Sequence, residues 1–306
     1  MNPRTPTRAD LAVHLPDGTP VPTATWRYPV QAAVEASRPL LLVHGFRGDH
    51  HGMDLIARDV RDREVWVPDL PGFGATPPPG GREMDLETYV EWLDGVVARI
   101  ESVTGRRPFV AGHSFGSILV AHRAARLQED GLGDPIALLN PITAPALEGP
   151  SKVWTRAAVA YYRVSARLPE RLGDAVLRHP LIVRVMSEVM ATTGDRMLRR
   201  YIHDQHARYF STYADRESLA QAFRTSVSHT TTEMAARLHR PVLVVNGARD
   251  TIATPEATAA FVAALPAGTE VTHQVLDGVG HLLHYERPLQ TATVLDEFFR
   301  RFDRPR

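Results

Sequence analysis

The sequence predicts an α/β fold: a mostly parallel sheet with helices on both faces, interrupted by an inserted block of helices. Three observations carry this expectation. Short apolar runs such as Leu40–Val43, Ile136–Leu139 and Val242–Val245 recur along the chain, as strands buried on both faces require. Helical stretches alternate with them, the pattern of parallel crossovers. From about Ile142 to Ala236 that alternation stops and only helical periodicity remains.

Taken in order, Asp10 to Val30 reads as antiparallel strands. The turn Pro16-Asp17-Gly18-Thr19 joins Leu11–Leu15 to the segment around Thr25–Tyr28. The strand Leu40–Val43 runs into the loop His44-Gly45-Phe46-Arg47-Gly48. Val65–Val67 is a further buried strand, followed by Asp69–Gly74, and Pro77–Gly81 reads as an exposed loop. Leu86, Tyr89, Val90, Leu93, Val96, Val97 and Ile100 share one broad face and predict a helix from Asp85 to about Glu101. The strand Arg107–Ala111 then enters Gly112-His113-Ser114-Phe115-Gly116, and Ser117–Ala125 continues as a helix. Ile136–Leu139 ends at Asn140-Pro141. In the helical block, Trp154–Leu168, Val176–Met190, Met197–Phe210 and Leu219–Val227 predict four helices. The alternation resumes with a strand at Pro241–Val245, a helix around Glu256–Ala264, a strand at Val271–Leu276 and a last helix from about Pro288 to Phe302. The expected division is a core of residues 1–141 and 237–306, with 142–236 inserted after the sixth strand.

Composition narrows the function classes. The 306 residues are enough for one large α/β domain with an insertion, and at 43% hydrophobic residues they can fill a core. Basic and acidic residues balance at 35 each, which argues against non-specific nucleic-acid binding or a polybasic membrane surface. Lys152 is the only lysine. The absence of cysteine excludes disulfides, thiolate metal sites and a cysteine nucleophile. No signal-like apolar run opens the chain and no stretch is long enough to span a bilayer, so a cytoplasmic protein acting on a small molecule is expected. His50-His51 and His203-x-x-His206 lack a matched third ligand and read as surface histidines. No nucleotide loop is present, and neither a cofactor nor a metal is expected.

The chemistry centres on Ser114. A serine between glycines at a strand-to-helix junction fits a sharp turn that projects its hydroxyl from the end of a sheet. Serine needs a base within reach and a third group to orient that base. Asp250 follows the strand ending at Val245, and His281 follows the strand ending at Leu276. The aspartate would hold one imidazole nitrogen as N–H and leave the other to take the serine proton. Asp277 competes for the acid role but lies close to His281, where it reads as a loop tie. The Phe115 N–H sits at a helix N-terminus, and the Phe46 N–H lies in the loop after an early strand. Together they would form an oxyanion hole. His44 reads as a structural residue hydrogen-bonding within that loop. Arg47 reads first as a solvent-facing arginine and second as a carboxylate-binding group at a pocket mouth. His113 is a second candidate substrate-binding residue.

These residues resemble the α/β-hydrolase superfamily, in its serine-nucleophile, cap-carrying form. The likeness is carried by His44–Gly48, Asp69–Gly74, Gly112–Gly116, Asp250 and Gly280-His281, and it spans nearly the whole chain. It implies that the helical block is a cap or lid and that Asp69–Gly74 is a structural turn near the site. In some relatives the acid follows the strand before the cap. Asn140 stands there in this chain, which favours Asp250. Many relatives carry proline where this chain has Arg47. The expected activity is cofactor-independent hydrolysis of a small, partly apolar carboxylic ester. The alternatives are carbon–carbon bond hydrolysis, lyase or perhydrolase chemistry with the same residues, or a non-catalytic ligand-binding role.

Overall fold

The computed structural model describes residues 4–30, 37–127, 133–145 and 160–303, apart from residues 163 and 166 and the side chain of residue 170. Its centre is an eight-stranded sheet. Two short strands, β1 (Thr7–Arg8) and β4 (Thr25–Tyr28), lie at one end. Beside them run β6 (Val65–Pro68), β5 (Leu40–Val43), β7 (Phe109–His113), β8 (Ile136–Leu139), β9 (Val242–Gly247) and β10 (Val271–Leu276), in that spatial order. The pairs from β6 to β10 are all parallel, whereas β1 and β4 pair antiparallel.

One early expectation is corrected. The turn at Pro16–Thr19 joins β2 (Leu11–His14) to β3 (Pro20–Thr23) in a separate hairpin, not to Thr25–Tyr28. Pro20 and Pro22 hid β3 in the sequence. They sit opposite His14 and Ala12, alternate positions whose N–H would point away from the partner strand, where proline is tolerated. The Thr25–Tyr28 segment instead pairs with β6 in the main sheet.

Both faces of the sheet are covered, as the apolar runs require. Leu41, Val43, Val110, Leu138 and Val244 face helices α2 (Leu86–Thr104) and α3 (Phe115–Arg126), together with Phe261. The alternate residues Leu40, Leu42, Phe109, Leu139 and Val245 face α1 (Asp54–Asp59) and the C-terminal helix, through Ile56, Leu295 and Phe299. Burying each such side chain contributes roughly 1.5–3 kcal/mol. Helix α2 is capped as its sequence suggests. The Asp85 carboxylate accepts from the Thr88 N–H, and Gly105 ends the helix at φ +71°.

Between β8 and β9 the named elements are all helical: α4 (Glu170–Leu177), α5 (Pro180–Met190), α6 (Arg196–Tyr209), α7 (Arg216–Ser228) and a 3-10 turn at Thr232–Arg237. The helix expected within Val176–Met190 is α5, and α4 ends just before it at Leu177. Pro180 lacks an N–H and its ring clashes with the preceding turn, so it starts a helix and cannot continue one. Most of the helix expected at Trp154–Leu168 lies outside the described residues. The chain closes with α8 (Pro255–Ala263), a short α9 (Leu283–Glu286) that periodicity did not reveal, and α10 (Pro288–Arg300).

The topology fixes where a site can form. The chain steps from β5 to β6 on one side, then returns to β7 on the other side of β5. That reversal opens a crevice at the carboxyl ends of β5 and β7, the usual location of sites in such sheets. The loop His44–Gly48 and the turn at Ser114 occupy it.

Candidate active site

Ser114 lies in the positive-φ region, at φ +53° and ψ −118°. Its two glycine neighbours explain how the chain holds that bend. A Cβ on Gly112 would meet the Gly116 carbonyl oxygen at 2.3 Å, and a Cβ on Gly116 would meet the Val43 carbonyl oxygen at 2.5 Å. The turn is pressed against the end of β5, and a Cβ on Gly45 would lie 3.1 Å from the Ser114 Cβ.

The structure brings Ser114, His281 and Asp250 together. The Ser114 hydroxyl donates to His281 Nε2 at 2.8 Å. The His281 Nδ1–H donates to Asp250 Oδ2 at 2.8 Å. Ser114 is half-buried, while the imidazole and the carboxylate are buried. The other carboxylate oxygen of Asp250 accepts from the N–H groups of Ile252 and Ala253, which fixes its orientation. Asp277 is exposed and has no hydrogen bond among the described residues, so it ties down nothing.

The loop beside the serine is held from below. The buried His44 donates through Nδ1 to Gly45 O and accepts the Leu70 N–H through Nε2 at 2.9 Å, so it is neutral. Burial lowers its pKa, in keeping with that state. The N–H groups of Phe46 and Phe115 have no hydrogen-bond acceptor among the described residues. The Phe46 ring is half-buried against Phe73, Tyr162 and Phe223.

Two sequence readings need correction. Arg47 is neither solvent-facing nor at a pocket mouth. It is buried, at φ +61°, and donates to Phe210 O, Tyr162 Oη and Leu177 O. Its guanidinium is spent on the helical block. His113 is buried and donates through Nε2 to the His281 carbonyl oxygen at 3.0 Å, so its role is to hold the histidine segment. Burial depresses its pKa to about 3, and it stays neutral beside His281.

Sequence reasoning missed two further supports. Asn140, buried at φ +42°, donates through Nδ2 to the carbonyls of Gly280 and His281 and accepts the Gly247 N–H through Oδ1. It links the segment before Asp250 to the one carrying His281. The buried Glu286 accepts from the N–H groups of Gly280, Thr192 and Thr193 and from the Thr192 hydroxyl. A residue that acts only by gathering donors from distant segments leaves no local pattern to read.

The histidines expected at the surface are built into the protein. His50 stacks on Trp26 and donates to Asp69. His203 and His206 are buried and share the Ser187 hydroxyl, at 2.6 and 2.7 Å. Asp69 also accepts from the N–H groups of His50 and Ala75, which makes Asp69–Gly74 a fixed turn. Two trios bring potential ligand atoms within 4.8 Å: Asp49, His50 and His51, and His122, His229 and Glu233. Their atoms are engaged in protein hydrogen bonds, His51 to Asp49 and His122 to Thr230 O.

The sequence pattern of the Alpha/beta hydrolase family matches residues 40–294, most of the chain, including Ser114, Asp250 and His281. The chain belongs to the alpha/beta hydrolase family. No curated protein matches it in sequence. Among solved structures, this alpha/beta hydrolase is similar to a thermophilic esterase from Thermogutta terrifontis, with a TM-score of 0.73 and 22% identity over 97% of this chain and 100% of that one. It is similar to the enol-lactonase from Burkholderia xenovorans LB400, with a TM-score of 0.69 and 18% identity over 91% and 97% of the two chains. It is also similar to a bromoperoxidase from Bacillus anthracis, with a TM-score of 0.71 and 15% identity over 96% and 100%. At these identities the likeness is one of fold.

Proposed function

We propose that this family member is a cofactor-independent serine hydrolase that cleaves a small, partly apolar carboxylic ester through an acyl-enzyme. The observation that carries the proposal is the unbroken line from Ser114 Oγ through His281 to Asp250, with both hydrogen bonds at 2.8 Å. In that reading His281 removes the hydroxyl proton as Ser114 attacks the ester carbonyl. Asp250 stabilises the imidazolium. The tetrahedral oxyanion is held by the N–H groups of Phe46 and Phe115, whose lack of acceptors leaves them free for it. His281 then gives its proton to the departing alcohol. A water, deprotonated by the same imidazole, releases the acid. The apolar character of the substrate is drawn from the ring cluster of Phe46, Tyr162 and Phe223 beside the serine loop. The block 142–236 is assigned as the cap over a core of 1–141 and 237–306.

The sequence offered one pointer to a diketone or dicarboxylate substrate, Arg47. With that guanidinium engaged by the helical block, Arg47 no longer favours carbon–carbon cleavage over ester hydrolysis. The test is a chain-length panel of activated esters, run beside Ser114→Ala. Turnover and labelling by an activated phosphonate should both vanish in the variant. Labelling that survives in Ser114→Ala overturns the assignment.

A further inference from the structure

The outer face of the helical block is unlike the rest of the surface. Among the described residues eleven large apolar side chains stand exposed, and seven of them fall between residues 164 and 201. Helix α5 shows why. Val183 and Ser187 face inward, yet Leu181, Val185 and Val189, spaced four apart on the opposite side, are 65%, 49% and 46% exposed. A helix apolar on both sides needs a cover on both. At the start of α6, Met197 is 84% exposed.

A hollow of about 270 Å³ lies beside this stripe, lined by Arg184, Arg196, Arg199, Arg200 and His203. Arg184 sits directly before Val185 and three residues after Leu181, on the border of stripe and hollow. Glu188 pairs with Arg184 and Arg199 and approaches His203 Nε2 at 3.3 Å. The guanidinium groups of Arg196 and Arg200 have no ion pair or hydrogen bond among the described residues. Residues 180–209 hold five arginines against three carboxylates, within a chain whose charge balances overall.

We propose that the α5–α6 face docks on an anionic lipid bilayer, with Leu181, Val185, Val189 and Met197 entering the interface and Arg196 and Arg200 meeting headgroup phosphates. Apolar side chains flanked by unpaired arginines are the pattern of a surface that lies in the headgroup region. A second copy of the chain fits less well, because a two-fold contact would set each arginine hollow against its twin. This inference concerns binding and stands apart from the proposed ester hydrolysis.

The test is co-sedimentation of the full chain carrying Ser114→Ala, so that no lipid is consumed. One set of vesicles is phosphatidylcholine alone, and the other is phosphatidylcholine mixed with phosphatidylglycerol. Binding is expected to the mixed vesicles, to weaken as salt rises, and to be weak on phosphatidylcholine. Arg196→Gln with Arg200→Gln should weaken it on the order of 30-fold, at about a tenfold loss per 1.4 kcal/mol and about 1 kcal/mol per arginine. Leu181→Ser with Val185→Ser should abolish it. Leu289→Ser, which removes an exposed apolar side chain elsewhere, should leave it intact. Three outcomes would overturn the proposal: no pelleting with the mixed vesicles, equal pelleting by all variants, or a dimer in sedimentation velocity that Leu181→Ser with Val185→Ser converts to monomer.

Discussion

Arg47 shows how one buried side chain can replace a set of weaker contacts. Its three donors reach Phe210, Tyr162 and Leu177, residues that belong to three different stretches of the helical block. Among the described residues no carboxylate shares the contact. The cation is solvated by carbonyl and hydroxyl dipoles, and removing it leaves those acceptors buried and unpaired. Arg47→Met should therefore lower stability by about 2–4 kcal/mol in urea unfolding. It should reduce kcat/KM on neutral and anionic esters alike. A selective loss on anionic esters would restore the substrate-binding reading. His113 and His281 illustrate the same distinction. Both are histidines near the serine, but His281 faces the hydroxyl with a free Nε2 lone pair, whereas His113 spends its Nε2–H on the backbone that carries His281.

The elements that matter most are the two turns that carry Asp250 and His281. Asn140 fastens them to each other, and Glu286 fastens the second to the helical block through Thr192 and Thr193. Asn140→Ala leaves the Gly280 carbonyl and the Gly247 N–H without partners, and leaves the His281 carbonyl with His113 alone. It should lower kcat about 10- to 100-fold through misplacement of the imidazole, with KM little changed. Glu286→Gln replaces an acceptor of four donors by a group that offers a single acceptor oxygen. It should lower kcat as well, and circular dichroism should show the fold retained. At this scale the sequence was legible wherever chemistry and local pattern coincide. The glycines around Ser114 and the apolar run before Asp250 are local signals, and each led to its residue. Asn140 entered only as a place where an acid was missing, because its hydrogen bonds reach residues more than a hundred positions away. The hairpin strand with Pro20 and Pro22 was misread, because proline reads as a strand breaker although it is tolerated where its N–H would point away from the partner.

Over the whole molecule, buried neutral histidines set the response to acid. Burial holds His113 and His206 down to about 3 and His284 well below its ordinary value. In the unfolded chain all three would titrate near 6.5. Between those limits the unfolded state binds protons that the folded state refuses. The contribution of His113 and His206 is thus complete above about pH 6.5 and declines as pH falls towards about 3, and that of His284 declines in the same direction. His113 and His206 each cost about 1.4 kcal/mol per pH unit in that window. Urea midpoints should fall steeply between about pH 7 and 5, and His206→Asn should shallow the slope. The helical block was legible as helices from its periodicity, but the burial of His203 and His206 was not, because it arises from α5 closing over α6 through Ser187.

Under the proposed hydrolysis, Glu286 would also constrain timing. Its carboxylate holds Thr192 and Thr193, in the connector between α5 and α6, in the same grip as the Gly280 N–H next to His281. A substrate that lifted the helical block would strain that shared knot and tug the proposed base off station. Admission and bond cleavage would then alternate, and a gaping enzyme would be an idle one.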